Sequence, residues 1–120
     1  MGVRLIKVSA VYFAIGALLG FYMSIAHTYT LTPVHVHINL LGWTALTLAG
    51  IIYHVFPQAA ATKAAKIHFW LHNIGLPIMM IALAFVVLGY EQLVAFTAIG
   101  GTITVIAVLF FVYNVLKNVK

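Results

Sequence analysis

An all-α membrane unit of four spanning helices is the fold class this sequence predicts. Three observations carry it: an apolar content that water cannot solvate, four runs of bilayer length, and basic residues confined to one side of them. Over 120 residues, 65% are apolar and 6% charged, and the mean hydropathy is +1.16. A soluble domain carries about 25% charged residues, so the expected solvent is lipid.

About 20 residues cross a hydrocarbon layer of about 30 Å. On that measure the apolar runs fall near 8–26, 34–56, 67–89 and 93–116, which makes residues 1–120 a single four-span domain. The first run follows Arg4 and Lys7, and Gly16 and Gly20 within it form a small-x-x-x-small pair suited to close helix approach, though chance matches are common. A basic start before an apolar run also fits a secretory signal. This run exceeds the usual signal core, so a span is the reading kept. The break at His27-Thr28-Tyr29-Thr30 leads to Thr32-Pro33, where Thr32 is expected to cap the second helix with Pro33 at its first position. Pro57-Gln58 through Lys66 separates the second and third runs. Pro77 removes a backbone donor inside the third, so a bend is expected there. Gly89-Tyr90-Glu91-Gln92 precedes the fourth.

On this map Arg4, Lys7, Lys63, Lys66, Lys117 and Lys120 share one side. The positive-inside rule makes that side cytoplasmic, with both termini inside and the chain multi-pass in the cytoplasmic (inner) membrane. The bases sit in pairs at segment ends rather than in a stripe, so no nucleic-acid partner is expected. With no cysteine, disulfides, thiolate metal sites and covalent heme attachment drop out.

Six histidines against one acid is an unusual balance inside a bilayer, where an ionisable ring needs a partner or a task. His27, His35 and His37 lie toward the outer end; His54, His68 and His72 lie toward the inner. The informative stretch runs from His35-Val36-His37 through Asn39 to Gly42-Trp43. At about 100° per residue, rings two apart leave their helix roughly 200° apart. They cannot share one metal, but each can meet a different neighbour. Neutral imidazole is a common axial ligand of heme iron, so His35 and His37 are candidate iron ligands. Hydrogen bonding near the headgroups is the bland alternative. Asn39 is a candidate support for a ligand or, equally, a helix-contact amide. Gly42 and Trp43 complete the candidate heme contacts, with belt and packing roles for Trp43, Trp70, Tyr12 and Tyr53 as the alternative.

His35-Val36-His37, then Gly50-Ile51-Ile52-Tyr53-His54-Val55-Phe56-Pro57, then Lys66-Ile67-His68-Phe69-Trp70-Leu71 with Ile74-Gly75, resemble two consecutive late helices of the heme-copper oxidase catalytic subunit. That superfamily includes the cytochrome oxidases and nitric oxide reductases. The likeness covers 32–80. It implies that His35 faces a high-spin heme and His37 a low-spin heme. The family's twelve core helices form three similar arcs of four, so the chain resembles one arc, and a homotrimer would rebuild all twelve. Heme b bridged between His37 of one copy and His35 of the next follows from that resemblance. The family's copper site needs three further histidines that this chain does not supply at the outer end, so oxygen reduction is not expected. The family's outer arginines have no counterpart either; His27, Thr28, Tyr29, Thr30 or Thr32 would have to replace them.

His54 lies 17 residues beyond His37, about 25 Å along a helix, too far to share its metal. His68 and His72, four apart, share a face and have chelating spacing. The reading kept for these inner rings is anchoring at helix ends.

The expected function is thus a b-type cytochrome passing electrons to or from an unidentified redox partner. A heme protein that binds a small gas such as NO or O2 is the first alternative, and a heme-free small transporter or assembly subunit the second. A transporter would ordinarily hold an ionisable acid within a span, whereas Glu91 sits between spans.

Overall fold

The computed structural model describes all residues, 1–120, and is all-helical apart from short connections, with no strand. Four long helices run in chain order: α1 (Gly2–Ala26), α2 (Thr32–Val55), α3 (Lys63–Val87) and α4 (Val94–Asn118). All are long and apolar enough to cross a membrane. Hydrogen bonding of the backbone extends past the apolar runs at their polar ends, taking in Arg4, Lys7, Lys63 and Lys66, because long basic side chains lie along a helix end and reach outward.

Each helix end has a chemical cause. His27 closes α1 in the left-handed region at φ 51°, and Thr28 N–H donates back to the Met23 carbonyl at 3.3 Å. Leu31, not Thr32, is the N-cap of α2. Thr32 lies one residue inside and turns its hydroxyl back to the Tyr29 carbonyl at 2.7 Å, with Pro33 still in the first turn. Thr62 caps α3 by accepting from Ala65 N–H at 3.1 Å. The short helical turn Pro57–Ala60 joins α2 to α3. Helix α3 is continuous through Pro77, which cannot donate to the Asn73 carbonyl one turn back.

Consecutive helices run antiparallel. Gly2 abuts Gly50 and His54 while Gly20 abuts His35, so α1 and α2 are opposed along their length. Val34 and Ile38 meet Leu76, Met79 and Met80, which sets α2 against α3. Gly75 faces Ile103 and Thr104, and Gly100 lies on the Met79 backbone, which sets α3 against α4. A Cβ on Gly100 would collide with main chain that cannot move aside, so glycine fixes this crossing distance. The alternation gathers the starts of α1 and α3 and the end of α4, with all six bases, at one basic end.

The Cα envelope measures 47 × 29 × 18 Å. Its thinnest dimension is less than two helix diameters of about 10–12 Å, so only 25 of 120 residues are buried. Most large apolar side chains face outward, as lipid requires.

The regular α-helix of α2 is interrupted at Ile38–Thr44, where the chain winds as a π-helix. This wider turn follows directly on His37 and contains Asn39, Leu41, Gly42 and Trp43. π turns inside α-helices often mark functional positions.

Candidate functional site: two histidine pairs

The two outer rings leave α2 toward different neighbours. His35 turns to α1. Its Nδ1 lies 2.8 Å from the Gly16 carbonyl, and its ring packs on the bare Cα of Gly20. A carbonyl only accepts, so His35 Nδ1 carries the proton and Nε2 the lone pair. The Asn39 amide nitrogen is 3.4 Å from that Nε2, and Asn39 itself fills the space over Gly16. Both ring nitrogens of His35 therefore have partners within the chain.

His37 faces the other way. Its ring lines an apolar groove of about 410 Å³ with Leu41, Met79, Gly101, Thr104, Val105, Val108 and Leu109. The groove runs over α3 between α2 and α4. His37 Nδ1 donates to the Pro33 carbonyl at 2.7 Å, one turn back on its own helix. That bond fixes the tautomer and leaves the Nε2 lone pair free.

The remaining candidates go with His35. Gly42 is buried against the Tyr12 ring, and Trp43 lies on Phe13 with ring centres 4.5 Å apart. His35, Asn39, Gly42 and Trp43 thus form one stripe along the α1 seam, at the helical spacing that keeps residues on one face. The five candidates do not converge on one pocket. His37 alone stands in the groove.

The inner histidines differ from the expected end anchors. His54 is exposed at the basic end, but His68 and His72 are 2% and 1% exposed, inside the packing of α2, α3 and α4. Helix α3 begins at Lys63, so the two rings follow about one and a half and two and a half turns after its start, on the face that packs against its neighbours. His68 Nδ1 pairs with the Tyr53 hydroxyl at 2.9 Å, and the Phe111 ring of α4 covers it with centres 4.9 Å apart. His72 Nε2 donates to the Leu41 carbonyl in the π turn at 3.0 Å. Its Nδ1 is buried with no partner. The four-residue spacing was the signal for this pair, and only the helix packing shows that the shared face points inward.

Below Tyr53, Asn114 of α4 ties the basic end together. It donates to the Ala59 carbonyl at 2.9 Å, and its oxygen accepts from Thr62 at 3.0 Å and Asn118 at 2.7 Å. A cavity of about 480 Å³, walled by Met1, Gly2, Val3, Tyr53, His54, Pro57, Ala60 and Ala61, opens at the same end.

No protein-family profile, curated protein or solved structure matches this chain.

Proposed function

We propose that the chain is a multi-pass b-type cytochrome of the cytoplasmic membrane, with His37 as a ligand of heme iron. One observation carries the reading: His37 lines an apolar groove and commits its Nδ1–H to the Pro33 carbonyl, which leaves its Nε2 with a lone pair that no other group in the chain occupies. Iron-ligating imidazoles are oriented in this way, by a hydrogen bond from the other ring nitrogen. The groove residues fit a flat apolar group. Leu41, Met79, Val105, Val108 and Leu109 supply hydrocarbon contact, and Gly101 leaves room on α4. Bound there, heme would supply one-electron chemistry or a site for a small gas.

The rest of the reading follows the charges and the packing. With the basic end cytoplasmic, both termini are inside and His37 lies near the outer face. Assembly as a homotrimer would bring a second α2 close to each groove, and a heme bridged between copies would link assembly to cofactor binding by mass action. For His35 of a neighbouring copy to serve as the second ligand, its Nε2 must give up the Asn39 amide, while its Nδ1 bond to the Gly16 carbonyl can stay.

That internal satisfaction of His35 favours a second reading, in which iron keeps one protein ligand and an open position for NO or another small gas. Absorption spectra of heme-supplied membranes test both. Reduced protein is expected to show b-type bands that vanish in His37→Ala; bands that survive unchanged remove His37 from the site. A spectral change on adding carbon monoxide selects the gas-binding form, and no change selects two protein ligands and electron transfer.

A further inference from the structure

The wider winding of α2 leaves one of its carbonyls to a side chain from another helix. In an α-helix the Ala45 N–H would bond the Leu41 carbonyl, four residues back. Here it bonds the Leu40 carbonyl, five back, as a π turn requires. The donor that reaches Leu41 instead is His72 Nε2 of α3, at 3.0 Å. A carbonyl only accepts, so His72 carries its hydrogen on Nε2 and a lone pair on Nδ1. That Nδ1 is the one buried side-chain polar atom in the protein without a partner. Such atoms are uncommon in a dry interior. The ring is therefore oriented by Leu41 and by nothing polar on its other side.

The winding matters because α2 is held to α1 on both sides of the turn. Before it, His35 bonds the Gly16 carbonyl and packs on Gly20. After it, Thr47 donates to the Ser9 hydroxyl at 2.8 Å and Gly50 lies against Gly2. Each residue of an α-helix advances about 100°, so rewinding the turn as α-helix would rotate one segment against the other by about that angle. His37 stands immediately before the turn and would leave the groove wall. Leu41, inside the turn, lines that groove. So does Met79, which lies seven residues beyond His72 on the same face of α3.

We propose that His72 is a positioning residue for the His37 groove. Its Nε2–H replaces the donor that the Leu41 carbonyl gives up in the π turn, and so holds α2 in the winding that turns His37 onto the groove wall. The bond lies in a part of the core closed to solvent, with His72 1% exposed. Removing it leaves the carbonyl bare, and the nearest remedy is a return to the Ala45 N–H, which is the α winding. An imidazole suits the task because it reaches across the α2–α3 seam and donates while neutral, where a lysine would bring a charge into the span. The consequence for iron rests on the cytochrome reading. The direction of the His37 ring does not.

Solid-state NMR of the heme-free full chain in lipid vesicles tests the role, comparing the unaltered protein with His72→Leu, which has no donor, and His72→Gln, whose amide keeps one. Expected in the unaltered chain are the Nε2–H tautomer at His72 and through-space contacts from the His37 ring to the groove side chains of α4. Those contacts should be lost in His72→Leu and restored in His72→Gln. Amide exchange protection along α4 reports that each variant is folded. Unchanged His37 contacts in His72→Leu would overturn the role, and so would contacts missing equally from His72→Gln, since the donor would then not be what matters. An Nδ1–H tautomer at His72 would also overturn it, and that measurement decides even where His72→Leu does not fold. With heme supplied, b-type bands should be lost in His72→Leu and return in His72→Gln. Bands absent from all three proteins count against the cytochrome reading alone, and the His37 contacts then decide the positioning role.

Discussion

His35 and His37 are two residues apart and face opposite sides of their helix; His68 and His72 are four apart and face the same side. The first spacing separates two imidazoles into different environments, one sealed against α1 by Gly16, Gly20 and Asn39, the other open to the groove. The second brings two imidazoles together and buries both. Spacing thus sets whether neighbouring rings meet. Whether either is free to act depends on what the opposing helix offers, a carbonyl and a glycine at His35 or an open wall at His37.

That contrast breaks most severely at the seam holding the inner pair. Gly100→Leu drives a side chain into the Met79 backbone and should cost about 3 kcal/mol or more, read as a drop in thermal unfolding midpoint together with loss of exchange protection along α3. Next in size, His72→Leu strips the Leu41 carbonyl of its donor and should cost about 1–3 kcal/mol. His35→Leu should cost about 1–2 kcal/mol, because it frees the Gly16 carbonyl and removes the ring that Gly20 was shaped to receive. His37→Leu, whose ring bonds only to its own helix, should stay within about 0.5 kcal/mol. Denaturant unfolding in mixed micelles ranks the three. A His37 variant as destabilised as the His72 variant would erase the distinction between a ring kept for structure and one kept for chemistry. Smallest is His27→Gly, expected to stabilise by about 0.5 kcal/mol because the left-handed C-cap of α1 carries a Cβ it does not need.

Much of the fold was legible because its causes are local. Composition indicated the solvent, run length the number of helices, and the six bases the end they share. Helix ends shifted where a polar first turn continued the hydrogen bonding, as from Lys63 to Lys66, and at Thr32, whose hydroxyl went to the Tyr29 carbonyl rather than to its own helix. The π turn was not legible. A seven-residue stretch of Ile, Asn, Leu, Gly, Trp and Thr carries no local preference for the wider winding. Nor was the division of Asn39, Gly42 and Trp43 from His37, which rests on Tyr12, Phe13 and Gly16 of a different helix.

By itself the sequence determined that four helices form and that two pairs of imidazoles take divergent or shared faces, because helix periodicity and lipid solvation act residue by residue. The tertiary structure alone decided which rings have their nitrogens occupied. Hydrogen-bond satisfaction in a dry interior depends on the atom that another helix brings within about 3 Å, and no spacing along one helix contains that information.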